Sequence, residues 1–329
     1  MLSKKENLLE TIKGGKPDRF VNQFSYLSFV SNPIRSNMGC FIEPGETGYD
    51  GWGVRYIYPE NTPGSFPDNE GDHKVLKDIT EWKKYVKAPR LLYSEEEWAP
   101  FIQKEAEIDR KEVFAATWVA PGIFERLHSL MGMEDTMVNF YAEPEAMHEL
   151  IDYIADWEVE YAKEVVKHMR PEALFHHDDW GSQISSFISP EMFEEFLEPA
   201  YRKVYGFWKE HGVQIIVHHS DSYAANLIPS MLRVGIDIWQ GAITENDLKT
   251  VIAQYGGKIT IMGGLNNGVY DREDCTVEKV RKGLRQLIET CGTRYIIPAL
   301  TMGGPESIYP GVYEMVSEEV DRLSEEYFG

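Results

Sequence analysis

Seven short apolar runs, most of them separated by helical segments of more than ten residues, set the tightest limit on how this chain can fold. They are 19–27 (RFVNQFSYL), 112–119 (EVFAATWV), 172–179 (EALFHHDD), 213–219 (VQIIVHH), 236–241 (IDIWQG), 258–264 (KITIMGG) and 294–300 (RYIIPAL). Within the runs the apolar residues are largely continuous rather than alternating, so both faces of each strand must be buried. A parallel sheet covered by helices meets that condition. Seven clear strands with room for an eighth favour a single (β/α)8 TIM barrel over residues 1–329, a length that suits one barrel. A doubly wound sheet fits less well, because no strand opens into Gly-x-Gly-x-x-Gly.

The first strand is followed by a long N-terminal loop excursion, residues 28–74, rich in Gly, Pro and Asn. A hairpin is expected over 50–60 (DGWGVRYIYPE) and a loop over 61–72. Ahead of the strand, Ser3-Lys4-Lys5-Glu6 is a capping box for a helix through Ile12, which Gly14, Gly15 and Pro17 stop.

A formal charge of −21 argues against nucleic acid or an anionic membrane as partner, since both would be repelled. No run of about 18 apolar residues and no secretory signal is found. Cys40, Cys275 and Cys291 are widely spaced and form no Cys-x-x-Cys pair. These features predict a soluble, cytoplasmic protein with no cysteine metal site.

In a barrel the site lies where the strands end, in the loops that follow them. Polar residues gather at those exits: Gln23 to Tyr26, Thr117-Trp118, His176 to Trp180, His218 to Asp221, Gln240, Asn266-Asn267 and Thr301. His219 and Asp221 are two apart and project to one side of an extended segment, while His218 and Ser220 project to the other. Imidazole nitrogen and carboxylate oxygen are both good zinc ligands. A further ligand has to come from another exit, where Asp178 or Asp179 has the right chemistry. A bulge would exchange the two histidines.

The segments FHHDDWGSQISSFISPEMFEEFLEPAYRKV (175–204), HGVQIIVHHSDSYAANLIPSMLRVGIDIWQ (211–240), GGKITIMGGLNN (256–267) and GGKPDRF (14–20) resemble the uroporphyrinogen decarboxylase superfamily. The resemblance implies a single (β/α)8 barrel. The superfamily includes the haem-pathway decarboxylase and methyltransferases that work with corrinoid proteins. The decarboxylase's substrate-holding arginine motif is replaced here by NQFSYLSFVSN (22–32). The His-x-Cys of the thiol-activating methyltransferases is replaced by His219-Ser220-Asp221, and PALTMGG (298–304) carries no cysteine.

What remains looks like the methyltransferase I component of corrinoid-dependent O-demethylases, a resemblance shared by YDGWGVRYIYP (49–59). It implies transfer of a methyl group from a methoxylated, expectedly aromatic, small molecule to the Co(I) of a corrinoid protein, with zinc as Lewis acid. The chain has no Asp-x-His-x-x-Gly cobalamin motif, so the corrinoid would arrive on a partner protein. The branch's Glu-x14-Glu-x20-His zinc motif is matched by Glu198-x20-His219, with Gln183 in the first position. Asp179-x14-Glu194 reproduces the other spacing.

The expected metal ligands are therefore His219 and Asp221 with Glu194 or Glu198, and the expected catalytic residues are His219, Asp179 and Asp221. Gln23, Trp52, Tyr56, Trp118, Trp180, His218 and Gln240 are expected to bind substrate. Two alternatives stand beside this reading: a decarboxylase of another small acid, and a non-enzymatic corrinoid or tetrapyrrole binder. The sequence leaves an oligomer open.

Overall fold

A computed structural model describes residues 1–62, 64–304 and 308–329. Seven strands form one parallel sheet in sequence order: β1 (Leu27–Phe29), β2 (Phe114–Val119), β3 (Ala173–His177), β4 (Ile215–His219), β5 (Ile238–Ala242), β6 (Thr260–Leu265) and β7 (Ile296–Leu300). Neighbours pair in register, with Phe175 opposite Val217 and His177 opposite His219.

The two faces of each strand go to different cores, as continuous apolar runs require. One cluster takes Leu27, Phe114, Ala116, Phe175, Val217, Ile238, Met262 and Ala299, so every strand of the curled sheet sends alternate residues to a shared interior. The intervening residues, among them Val119, Leu174, Ile216, Trp239, Ile261 and Ile296, pack outward against the helices. This parity decides the exits. His177 and His219 continue the interior series, whereas His176 and His218 point into the helical layer.

The expectation of eight strands is met by seven among the described residues, and no ladder joins β1 to β7 there. The first strand also begins later than the apolar run over 19–27 suggested. Gln23 has φ 45°, and residues 23–26 form a turn, so the chain straightens only at Leu27. Phe20 meets Phe328 edge to face, and the Gln23 amide donates to Tyr313 O (3.2 Å) and Ser317 Oγ (2.8 Å). The run is apolar because it docks the C-terminal helix Val312–Phe328, not because it is all strand.

The N-terminal helix Lys4–Lys13 has the expected capping box and ends on Gly14 at φ 64°. Between β1 and β2 the chain forms a short helix, Pro33–Met38, and a three-stranded antiparallel sheet of Thr47–Tyr49, Arg55–Ile57 and Phe66–Pro67. The hairpin expected over 50–60 is thus set earlier, with its turn at residues 50–54. Two buried contacts hold this segment down. Trp52 packs edge to face on Trp157 of the helix Pro144–His168, and Asp50 accepts from Arg126 Nη1 at 2.5 Å, each side chain 3 % exposed. No helix among the described residues is long and apolar enough to cross a membrane.

Candidate metal centre and its two cavities

The β3 exit performs three tasks in three consecutive residues. His177 points into the mouth of the sheet. Asp178 turns outward and caps the helix Ile123–Met131, accepting from Phe124 N (2.9 Å) and Glu125 N (2.7 Å). Asp179 returns to the mouth, where its Oδ1 accepts from Asp221 N at 3.0 Å. By capping that helix, Asp178 fixes Glu125, and Glu125 Oε2 accepts from His177 Nδ1 at 2.8 Å.

His219, from the neighbouring exit, is fixed in the same way. Its Nδ1 donates to Gln240 Oε1, and the Gln240 amide nitrogen donates to Thr301 O at 3.1 Å, so the amide cannot be turned round without losing that bond. Gln240 is aimed by a bulge between β5 and β6. There Gly241 adopts φ 96°, and a Cβ on it would lie 2.8 Å from the Asp221 backbone, so only glycine lets the two exits approach.

With both Nδ1 atoms committed, each imidazole presents its Nε2. The rings of His177 and His219 stack with centroids 4.3 Å apart, and His219 Nε2 lies 3.8 Å from Asp179 Oδ1. Ligand atoms of His177, Asp179 and His219 all lie within 4.8 Å of one another. Two neutral imidazole nitrogens and one carboxylate oxygen, each imidazole anchored through its far nitrogen, make a donor set suited to zinc with room for a further ligand.

The electrostatics of the metal-free centre favour a cation. Burial raises Asp179 to about 8 against the pull of His177, and the Glu125 and Asp221 charges add to the rise. Burial and Glu125 likewise raise Asp221 to about 6. Burial pulls the His177 imidazole down, but the charge and hydrogen bond of Glu125, with Asp179 and Asp178, bring it up to about 10. His219 is lowered to about 3 by burial and by His177. Glu125, which burial alone would raise, falls below the ordinary carboxylate range beside His177. Protons held on His177 and Asp179 thus balance a crowd of carboxylates, a task a divalent ion can perform instead.

Two cavities meet at this centre and share Trp118, His177, Asp179 and Met302 in their walls. The axial one, about 600 Å³, adds Phe24, Phe29, Phe175, His219, Asp221 and Tyr313. The lateral one, about 530 Å³, lies under the segment between β1 and β2 and adds Arg35, Tyr56, Phe66, Glu125 and Arg126.

Of the residues expected from sequence, His219, Asp179, Asp221, Gln240, Trp118 and Tyr56 are brought to the centre or its cavities. Glu194 and Glu198 are not. They lie on the outer helical layer, where Arg233 donates to Glu198 Oε2 at 2.9 Å and also holds Glu194, so the spacing match to His219 does not become proximity. Trp180 is wholly buried, stacked on His218 at 3.8 Å. His218 accepts from Tyr205 OH at 2.8 Å and donates to Asp178 O at 3.1 Å, a packing role on the outward face. Trp52 and Gln23 are spent on the contacts described above. Two residues escaped the sequence reading. His177 was legible from its parity with Asp179, whereas Glu125 lies on a helix with no local signal.

Residues 73–322 match the family model described as Uroporphyrinogen decarboxylase (URO-D), and the chain belongs to that family. Among solved structures, a methyltransferase from Methanosarcina mazei aligns with TM-score 0.61 over 98% of this chain and 99% of that one, at 13% identity, a likeness of fold. No curated protein matches the chain.

Proposed function

We propose that this protein is a methyltransferase that passes a methyl group from a methoxylated aromatic molecule to the reduced cobalt of a corrinoid protein, using zinc held by His177, Asp179 and His219. The observation that carries the reading is the convergence of two anchored Nε2 atoms and a carboxylate where two aromatic-lined cavities meet, His177 and Asp179 lining both and His219 the axial one. One cavity can take the methyl donor while the other admits the methyl acceptor, as a two-substrate transfer requires.

Zinc bound there would supply a Lewis acid for the ether oxygen, which leaves poorly until its developing charge is taken up. Glu125 and Gln240 keep His177 and His219 in the tautomer that such binding needs. Trp118 and Tyr56 offer flat apolar surface for an arene. Asp221 stands on the axial wall, where its backbone N–H donates to Asp179 and helps hold that carboxylate toward the centre. The nitrogen and oxygen donors of the centre, with no sulfur among them in the described residues, suit a hard oxygen substrate rather than a thiol. The walls also carry Asp50, Glu125, Asp179 and Asp221, which disfavour a polycarboxylate such as a porphyrinogen.

The test is to incubate zinc-loaded protein with a panel of aryl methyl ethers and to follow release of the free phenol with and without cob(I)alamin. Phenol release that requires the cobalt reagent is expected. Release without it, or coproporphyrinogen formed from uroporphyrinogen, overturns the reading.

A further inference from the structure

Arg35 stands apart from the other cations at the centre. Arg126, which lines the same lateral cavity, is paired with Asp50. The Arg35 guanidinium lies over the Trp118 ring, 4.8 Å from its centroid, on the half-buried wall of that cavity. Among the described residues no carboxylate or other acceptor is bonded to it, although acids outnumber basic residues 54 to 33 in the chain. Burial lowers its pKa with only Tyr161 opposing, so no neighbouring anion compensates the charge. A guanidinium carries five donors in a planar fork that matches a carboxylate. Leaving them turned to a cavity in so acidic a protein is costly unless the ligand completes the pair.

The cavity's other cationic groups are already neutralised, Arg126 by Asp50 and His177 by Glu125, which leaves the Arg35 guanidinium as the place for an anion. Trp118 joins the two features: it carries the guanidinium on its face and belongs to the wall shared with His177 and Asp179. An aromatic acid could therefore set its ring in the lateral cavity with its carboxylate on Arg35 and its ether turned toward the histidines. We infer that the methyl donor occupies the lateral cavity and carries a ring carboxylate read by Arg35, which makes Arg35 the specificity-determining residue for a methoxylated aromatic acid. This rests on the methyl-transfer reading for the identity of the ether, but not for the carboxylate.

The experiment measures binding alone, by calorimetry on the zinc-loaded protein with no corrinoid present, so it is independent of turnover. The probes are 2-, 3- and 4-methoxybenzoate, each beside its methoxybenzamide, which has the same shape and no charge. At least one acid is expected to bind the parent roughly 30-fold or more tighter than its amide, the scale of a desolvated charge pair. Arg35→Ala should remove that preference and leave amide binding near the parent's, and Arg35→Lys should restore part of it. Equal binding of acid and amide, no binding of any acid, or an Arg35→Ala loss that falls alike on both would overturn the inference. Arg35-dependent acid binding without corrinoid-dependent demethylation would leave the inference standing and sink the methyl-transfer reading instead.

Discussion

His177 and His219 sit opposite each other in the β3–β4 ladder, and their imidazoles stack with centroids 4.3 Å apart while their Nδ1 atoms are tied to different anchors, Glu125 and Gln240. Stacked rings held by their far nitrogens can turn only their Nε2 atoms toward a shared ligand. The adjoining histidines, His176 and His218, are also opposite each other but face the helices. Four histidines on two adjacent strands therefore divide by parity into a pair facing the mouth of the sheet and a pair packed against the helices.

The first prediction separates those pairs. His177→Ala and His219→Ala should each lose stoichiometric zinc while keeping the parent's far-ultraviolet circular dichroism. His218→Ala should keep zinc and lose stability on the order of 1–3 kcal/mol, for its two buried hydrogen bonds and its stacking on Trp180. Metal content by mass spectrometry beside thermal melting decides it. Zinc lost from His218→Ala and retained by His219→Ala would reverse the assignment.

Glu125 acts through His177. Glu125→Gln keeps the side chain's shape but removes the charge that holds the imidazole, and zinc affinity should fall about 10–100-fold, as is typical for groups that orient a ligand. A competition titration against a zinc-sensitive dye would show this, and an unchanged affinity would exclude the role.

Gly122, the N-cap of the helix carrying Glu125, has ordinary φ of −78°, but a Cβ there would lie 2.4 Å from His176 Cε1 and 2.6 Å from Asp178 Cβ. Gly122→Ala should therefore cost about 1–3 kcal/mol through overpacking and should weaken zinc binding by disturbing the Asp178 cap. Gly206→Ala, where a Cβ meets nothing within 4 Å in a helix interior, should instead stabilise by about 0.5–1 kcal/mol. Urea melts of the two variants supply the comparison.

The raised groups set a pH dependence for the metal-free protein. His177, at about 10, and Asp179, at about 8, both exceed their unfolded values, so the fold binds more protons than the unfolded chain. Each contribution is whole only below the group's unfolded value, about 4 for an aspartate and about 6.5 for a histidine, and is lost progressively as pH rises from there to about 8 for Asp179 and about 10 for His177. His219 is lowered and gains protons on unfolding only below its ordinary range, so it does not offset this loss above neutrality. The metal-free Tm should fall between pH 7 and 9, and zinc, whose binding displaces those protons, should reverse the slope. A metal-free Tm that rises over this interval would contradict the assignment.

Much of the centre was legible in the sequence because strand parity is simple. Positions 219 and 221 share a face, as do 177 and 179, and the parallel register brings the two exits together. Parity in IIVHHSD groups His219 with Asp221 and His218 with Ser220 but leaves open which pair faces inward, since a bulge would exchange them; the unbroken β3–β4 ladder gives that place to His219. His177 is harder to single out, because FHHDD offers four candidate donors in a row and only the position of the strand end tells which of them face the mouth. The Glu198-x20-His219 spacing failed differently. It counts residues along a helix outside the barrel, and Arg233 shows where those carboxylates go. Glu125 and Arg35 have no local signature, since one depends on a cap made 53 residues away and the other on what fails to pair with it. The first strand was misplaced because an apolar run cannot say whether it joins a ladder or docks a helix.

The proposed methyl transfer depends on His177, Asp179 and His219 holding a metal ion. The most direct measurement is a crystal of the zinc-loaded protein recorded at wavelengths on either side of the zinc absorption edge. We predict one strong anomalous peak about 2.0–2.2 Å from a nitrogen of His177, a nitrogen of His219 and an oxygen of Asp179, present above the edge and lost below it. A fully occupied zinc peak beside Glu194 and Glu198, or none at the two histidines, would contradict the account.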